Sequence, residues 1–347
     1  MLEWVQNVQN GGVVMSRAVT LSQVAAAAGV SLATASRVLN DSARKPAPAI
    51  AERVREAAET LGYVANAQAQ ALARSTTGLI GLVVHDISDP YFSSIAKGVQ
   101  HRAREDRHQL LLAATNGGDQ LDAVSAFASH RTAAIIMAGS RRTEIDPRLL
   151  SELERYQRNG GRVVTIGQDW LDGARAVTID NRGAGHQLVR ALVEDGQTRF
   201  AFLGGPDDLV TSLERRAGFR SALAEAGLEP ELEMEHAFTS EGGYESVRDL
   251  LSRTSAEDLA GTTLVAANDV MALGAIAALR HAGLRVPDDL RVAGFDDIPN
   301  LRDFAPGLTT IRFPLEDVGA AAARIVLADD EPRVESVAGE LVRRESA

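Results

Sequence analysis

The stretch Val19-Thr-Leu-Ser-Gln-Val-Ala-Ala-Ala-Ala-Gly-Val-Ser-Leu-Ala-Thr-Ala-Ser-Arg-Val-Leu-Asn40 decides how the N-terminal part of this chain is read. Thr20-Leu-Ser-Gln23 has the form of a capping box, in which hydroxyl and amide each satisfy an unpaired N–H of a helix start. The spacing predicts a helix over Leu21–Ala28 with Leu21, Val24 and Ala25 on one face. Gly29 ends it, since glycine tolerates the left-handed backbone of a tight turn. Val30 then plugs the corner, and Ser31 is suited to N-cap a second helix, Leu32–Leu39. Turning Ala35, Val38 and Leu39 inward leaves Leu32, Ala33, Ser36 and Arg37 on the face that could enter a major groove. A third helix is expected at about Pro48–Leu61, with Ile50, Val54, Ala57 and Leu61 at core spacing and Pro48 in the first turn. Periodicity alone leaves two readings open: a helix-turn-helix, or an Ala-rich three-helix packing unit.

Outward from this head the pattern changes. Residues 1–14 show no periodicity, and Ala65–Thr77 is an Ala- and Gln-rich linker or short helix. From Leu79 short apolar runs alternate with helical stretches. The strands expected are Leu79–Val84, Gln109–Ala114, Ala134–Ala138, Arg162–Ile166, Ala176–Ile179, Arg199–Leu203, Thr263–Ala266, Arg291–Phe295 and Thr309–Arg312. Amphipathic helices are expected at Tyr91–Asp106, Arg182–Glu194, Thr211–Ala226, Gly243–Arg253, Val270–His281 and Pro314–Leu327. Fully apolar strands separated by helices indicate parallel sheets covered on both faces. So many strands exceed one comfortable open sheet, which predicts two doubly wound subdomains with a ligand cleft between them.

Composition narrows the function. The 347 residues suffice for two or three cores, and 45% hydrophobic with 24% charged residues is ordinary for a soluble chain. No apolar run approaches the roughly 18 residues of a membrane span, and residues 1–15 lack the form of a secretory signal. With no cysteine, disulfides, thiolate metal sites and a cysteine nucleophile are excluded, and a cytoplasmic location is expected. The net charge of −11 is unevenly divided. Residues 15–76 hold seven basic and four acidic side chains, whereas the part after Thr76 is strongly acidic. A basic head on an acidic body confines attraction for phosphates to one end.

No catalytic constellation is visible. The seven histidines, His85, His101, His108 and His130 among them, form no metal-ligand spacing. Gly204-Gly205-Pro206 lacks the Lys-Ser/Thr of a phosphate loop, and neither Gly-x-Gly-x-x-Gly nor Gly-x-Ser-x-Gly occurs in the required context. No cofactor, no metal and no enzyme activity are expected.

Position by position, Val19–Ser31 followed by Thr34-Ala-Ser-Arg-Val-Leu-Asn40 resembles the DNA-binding head of the LacI/GalR family of bacterial transcriptional regulators. The resemblance implies that Leu32, Ala33 and Arg37 read base edges, with Arg37 alone able to make a bidentate guanine contact. It implies that Ser31, Thr34 and Ser36 make phosphate or base hydrogen bonds. Asn66-Ala-Gln-Ala-Gln-Ala-Leu-Ala-Arg74 is similar to the family's hinge helix, which implies minor-groove contacts by Asn66 and Ala69 and a wedge at Leu72. Two departures stand out. Ala65 replaces the family's usual proline, and Ala47-Pro-Ala-Ile-Ala51 replaces a Ser-x-x-Thr-Arg opening, which removes some expected phosphate contacts.

The resemblance continues through Ile80-Gly-Leu-Val-Val-His-Asp-Ile-Ser-Asp-Pro-Tyr-Phe92, Ile179-Asp-Asn181, Glu214-Arg-Arg-Ala-Gly-Phe219, Asn268-Asp-Val-Met-Ala-Leu-Gly274, Gly294-Phe-Asp-Asp-Ile298 and Leu308-Thr-Thr-Ile-Arg-Phe313. It implies an α/β, two-lobed body like that of periplasmic binding proteins. In it Arg215, Asn268 and Asp296 would hydrogen-bond an effector, and Tyr91, Phe92, Trp170 and Phe238 would line its pocket. Forked donors, paired acceptors and aromatic faces suit a sugar or sugar derivative. For each residue a structural alternative stands beside this: a surface ion pair for Arg215, core packing for Trp170 and Phe238, a turn cap for Asp296.

The division expected is a disordered extension at 1–16, a helix-turn-helix domain at 17–63, a hinge helix or linker at 64–77, and an effector-binding and dimerisation domain at 78–347. Within the last, an N-subdomain is expected at about 78–178 plus 309–328 and a C-subdomain at about 179–308 plus 329–347. The function implied is that of a repressor. A homodimer, or a pair of dimers as a tetramer, binds a pseudo-palindromic operator and releases or gains it as effector changes the lobe orientation. The alternatives are a solute-binding receptor of a transport system, which needs export and no DNA head, and a sugar-processing enzyme, which needs an acid/base pair that is not evident.

Overall fold

The computed structural model describes residues 19–39, 46–63, 77–115, 118, 120–139, 142–301, 304–328 and 334–347. The extension at 1–16 and the hinge positions Asn66, Ala69 and Leu72 lie outside them. The chain divides into two compact units, Met1–Thr77 and Gly78–Ala347.

In the first unit α1 (Leu21–Ala27), α2 (Leu32–Leu39) and α3 (Pro48–Thr60) close on a small core of Val24, Ala25, Ala28, Ala35, Val54 and Ala58. The capping box forms: Thr20 N donates to Gln23 Oε1 at 2.8 Å, and Gln23 N to Thr20 Oγ1 at 3.4 Å. Ala28 caps α1, and Gly29 follows at φ +64°. In α3 the inward face is Ala51, Val54 and Ala58, not the Ile50–Val54–Ala57–Leu61 set that spacing predicts. Leu61 caps the helix and is exposed, because Gly62 at φ +64° turns the chain away from the core there.

The second unit contains two six-stranded sheets. The first is built from β1 (Leu79–Val84), β2 (Gln109–Ala114), β3 (Ala134–Ala138), β4 (Arg162–Gly167), β5 (Arg175–Ile179) and β11 (Val334–Val337), ordered β11-β5-β4-β3-β1-β2. The second is built from β6 (Phe200–Gly204), β7 (Leu232–Glu235), β8 (Thr263–Ala266), β9 (Arg291–Asp296), β10 (Thr309–Arg312) and β12 (Glu340–Val342), ordered β12-β10-β9-β8-β6-β7. Every pairing is parallel except β10 with β12. The central strands read as continuous apolar runs because helices cover both faces. Those helices are α4 (Pro90–Glu105), α5 (Gln120–Ser129), α6 (Pro147–Arg158) and α11 (Leu315–Leu327) around the first sheet. Around the second they are α7 (Asn181–Glu194), α8 (Val210–Glu225), α9 (Ser240–Arg253) and α10 (Asp269–His281).

The helices pack in three close pairs, each crossing at two glycines. A Cβ at Gly98 or Gly319 would overlap a backbone carbonyl across the α4–α11 contact. Gly185 and Gly218 do the same for α7–α8, and Gly243 and Gly274 for α9–α10.

The expected subdomain boundaries need correction at the C-terminal end. The segment 309–328 does not belong whole to the first lobe: Thr309–Arg312 pairs with β9 in register Thr309↔Ala293 and sits in the second sheet. Likewise Val334–Val337, assigned to the second lobe, pairs with β5 in register Val334↔Ala176 and closes the edge of the first sheet. The reason is topological: the chain crosses between lobes after β5, again between β10 and α11, and a third time between β11 and β12. Short segments near a crossing carry no local mark of the sheet they join.

Candidate functional site

On the first unit, the outward side of α2 carries Leu32, Ala33 and Arg37, all exposed. Leu32 is 52% exposed, a large apolar side chain turned to solvent on the helix that the sequence offers to DNA. Ser31 and Thr34 are engaged with each other: Thr34 N donates to Ser31 Oγ at 3.1 Å, and the two hydroxyls are 2.9 Å apart. They cap α2 and so fix its first turn, while each hydroxyl keeps capacity for a further bond. Ser36 is half-buried.

In the second unit, the site grows from the carboxyl ends of strands, where open α/β sheets gather ligands. Arg215, on the second turn of α8, is 2% exposed. Its Nε donates to Asn181 Oδ1 at 2.9 Å, Nη1 to the Ala267 carbonyl at 2.7 Å and Nη2 to Asp296 Oδ1 at 2.7 Å. The guanidinium lies 4.9 Å from the centroid of Phe295 and 5.5 Å from that of Phe313, so aromatic faces support the charge where hydrogen bonds do not. The ion pair Arg215 makes is a buried one, with Asp296, and the neighbouring Glu214 accepts from Asn181 Nδ2 at 3.2 Å.

Asn268, two residues past β8, N-caps α10, its Oδ1 accepting from Met271 N at 2.8 Å. That bond orients the amide, leaving Nδ2 without a protein partner among the described residues. Asp296 and Asp297 close β9 at φ +115° and +50°. Such backbone persists only where the surroundings over-determine it. Here Arg215 holds Asp296, while Arg312 Nε at 2.7 Å and Arg344 Nη2 at 2.6 Å hold Asp297. Asp296 Oδ2 has no protein partner among the described residues.

Tyr91 and Phe92 start α4, with ring centroids 5.0 Å apart in an edge-on arrangement. Asp89 caps that helix through a 2.9 Å bond from Tyr91 N. These first-lobe groups face the second-lobe cluster closely enough to act on its charges. Burial raises the Tyr91 hydroxyl pKa, and the nearby Asp296 charge raises it further. Burial also raises Asp89, against the pull of the Tyr91 amide. Burial pushes Asp296 up to about 6, opposed by Arg215. Beneath it Asp269, fully buried and beside Asp296, is raised well above the usual carboxylate range. It accepts from Thr310 Oγ1 at 2.7 Å and Ile298 N at 3.1 Å.

Phe238 packs half-buried over Gly205, whose hypothetical Cβ would lie 2.6 Å from the ring. Tyr91, Phe92 and Phe238 join the hydrophobic cluster that contains Phe295 and Phe313. Trp170 differs, packing against the separate cluster of Phe127, Leu149 and Leu153. The structure thus brings Tyr91, Phe92, Arg215, Asn268 and Asp296 together and gives Trp170 a core contact of its own. Three members of the network were not singled out from sequence: Asp89, Asn181 and Asp269. Each lies inside a quoted motif, but an acid or amide at a helix start reads locally as a cap.

Chemically the site offers a buried fork of donors, one unpartnered carboxylate oxygen and one unpartnered amide N–H₂ beside aromatic rings. That set can take hydroxyls that both donate and accept. Among the described residues no group of His, Asp or Glu is arranged to hold a metal ion, and no helix is long and apolar enough to cross a membrane.

Residues 20–66 match the family described as bacterial regulatory proteins, lacI family, and residues 189–347 match the periplasmic binding protein-like domain. The HTH-type transcriptional regulator CelR of Thermobifida fusca is 33% identical, the match covering 89% of this chain and 91% of that protein. Among solved structures, a CelR–cellobiose complex aligns with a TM-score of 0.69 at 32% identity, covering 95% of this chain and all of that one. A lac repressor dimer bound to operator and the anti-inducer ONPF aligns with a TM-score of 0.79 at 25% identity, covering 95% of this chain and 99% of that one.

Proposed function

The chain belongs to the LacI family of bacterial regulatory proteins, and from that premise we propose that it is a repressor whose operator affinity is set by a small sugar-like effector. The observation that carries this reading is the continuity of the match: one alignment to a transcriptional regulator runs through both the helical head and the two-lobed body. Arg37 and Leu32 read bases from the exposed side of α2, Arg37 by paired donors to guanine and Leu32 by apolar contact with a thymine methyl. Ser31 and Thr34 set register on phosphates while capping the helix. Asn66, Ala69 and Leu72 enter the minor groove. Arg215, Asn268 and Asp296 bind effector hydroxyls against Tyr91, Phe92 and Phe238, while Trp170, packed in the separate first-lobe cluster, is left out of the proposed pocket.

The sugar class is supported by the donor and acceptor set and by the cellobiose complex of the CelR relative. A homodimer is supported by the dimeric lac repressor structure. Relatives that match along the chain are transcriptional regulators, which supports an effector that is bound and released rather than converted. A head that matches a DNA-binding family disfavours the transport-receptor alternative.

The test starts with selection of duplexes from a random library by the full-length protein. Selected duplexes should be pseudo-palindromic, and Arg37→Ala should lower affinity for them by at least tenfold. At about 1–3 kcal/mol for a bidentate base contact, that loss lies within the expected range. Equal affinity of Arg37→Ala and the parent in a gel-shift titration would sink the assignment of the reading face.

A further inference from the structure

The two lobes of the body touch each other away from the three chain crossings. The loop after β3 in the first lobe meets the loop after β6 in the second. There Arg142 forms an ion pair with Asp208, Thr143 N donates to the Asp208 carbonyl at 2.8 Å, and Arg142 and Leu209 form an isolated antiparallel bridge. Deeper in, Gln168 Nε2, just past β4, donates to Thr211 Oγ1 at 3.2 Å. Both Gln168 and Thr211 are buried.

All of these second-lobe partners precede or open α8. That helix has Leu209 as its N-cap with no side-chain cap bond of its own, and the first-lobe groups donate to the carbonyl and side-chain oxygens of the residues around it. Arg215 lies one turn beyond Thr211 on the same helix. The ion pair is exposed and worth little alone. Its backbone bond, the bridge and the buried Gln168–Thr211 pair add directional constraints that a surface pair lacks.

We infer that residues 142–143, 168 and 208–211 form a clasp across the cleft mouth that sets the fraction of molecules in the closed arrangement. The clasp holds the start of α8, and with it Arg215, in register with Asp89 and Tyr91 of the opposite lobe. Opening it moves Arg215 away from the first lobe. Arg142, Asp208 and Gln168 are therefore positioning residues: they act on the effector through the lobe equilibrium.

Bridge partners in antiparallel geometry have Cα atoms about 4.5–5.5 Å apart, within the span of a disulfide. The chain has no cysteine, so a pair introduced at Arg142→Cys and Leu209→Cys reports this contact alone. In the full-length protein, mild oxidation should convert most of the double variant to an intramolecular disulfide on a non-reducing gel. The control pair Arg142→Cys with Ser252→Cys should stay reduced. A double variant that stays reduced while melting like the parent overturns the clasp. A second measurement covers a variant that folds poorly: in the parent, hydrogen exchange at the Thr143 amide should slow, and Asp208→Ala should speed it at least tenfold. An unchanged rate also overturns the clasp.

The regulatory half rests on the function proposed above. Oxidised and reduced forms of the double variant should differ in affinity for the selected duplex by about fivefold or more, the lower end of typical allosteric coupling. Equal affinities would remove the regulatory role. The cross-linking and exchange readouts need no DNA, so a protein that selects no duplex refutes the regulator reading and leaves the clasp to be judged separately.

Discussion

Arg215 serves three acceptors at once, in a site with almost no contact with solvent. Arg215→Ala would strand the Asp296 carboxylate, Asn181 Oδ1 and the Ala267 carbonyl together. Breaking a buried pair by removing one partner costs about 3–5 kcal/mol, so the variant's urea midpoint should fall accordingly. Arg215→Lys should recover little of the loss, because a point charge cannot reproduce the fork. Asp296 adds a pH signature. Burial lifts its pKa from 3.8 to about 6. Between those values the folded protein holds a proton that the unfolded chain has released. The group's contribution to stability is therefore complete below about pH 4 and is lost as the pH rises through about 6. Subtracting an Asp296→Asn series from the parent in urea unfolding should expose that decline between pH 4 and 7, and parallel curves would refute it. Sequence resemblance named Arg215, Asn268 and Asp296, but it could not supply their pairing. The Arg215–Asp296 bond joins residues 81 apart, and Asn181 enters only because the chain crosses between lobes beside it.

Strands were legible where their own residues form an apolar run. Leu79–Val84, Gln109–Ala114, Ala134–Ala138, Thr263–Ala266 and Thr309–Arg312 have the bounds that their apolar runs predict. Leu232–Glu235, Val334–Val337 and Glu340–Val342 were not expected. Each is a short edge strand with charged residues, and its pairing partner, not its own pattern, makes it a strand. Helix α6 carries a local signal of its own, an apolar stripe of Leu149, Leu153 and Tyr156 at helical spacing. The glycine crossings were silent, since a helical glycine has no signature until its neighbour is known. They also carry a prediction. Asn181 on α7 grips Arg215 on α8, and a side chain at Gly218 would collide with the Arg182 carbonyl and part the two helices. Gly218→Ala should therefore destabilise the body by about 1–3 kcal/mol, as overpacking does. It should also weaken effector binding several-fold in calorimetry, though residue 218 itself makes no ligand contact. A variant with parental effector affinity would show that helix spacing does not set the site.

At the scale of the whole molecule, the two-lobed plan was legible and the ownership of its C-terminal strands was not. Parallel sheets accept a strand from any point in the chain, so the sequence order of β10 and β11 does not reveal which lobe each joins. The proposed switch makes a reciprocal prediction. Whatever factor the effector imposes on operator affinity, saturating operator must impose on effector affinity. The two factors, measured by titration at one salt concentration, should agree within error, because the phosphate contribution changes steeply with salt. Unequal factors would mean that the two ligands do not report on one equilibrium. The triple crossing has a consequence for how such a protein can diversify by recombination. A new DNA specificity can arrive through a single junction near residue 77, because the two compact units meet there only once along the chain. A new second lobe needs junctions near 180, 313 and 338 together, since one exchange would graft β11 or β12 onto a sheet cut for a different partner. Heads can be inherited separately; lobes travel as a pair.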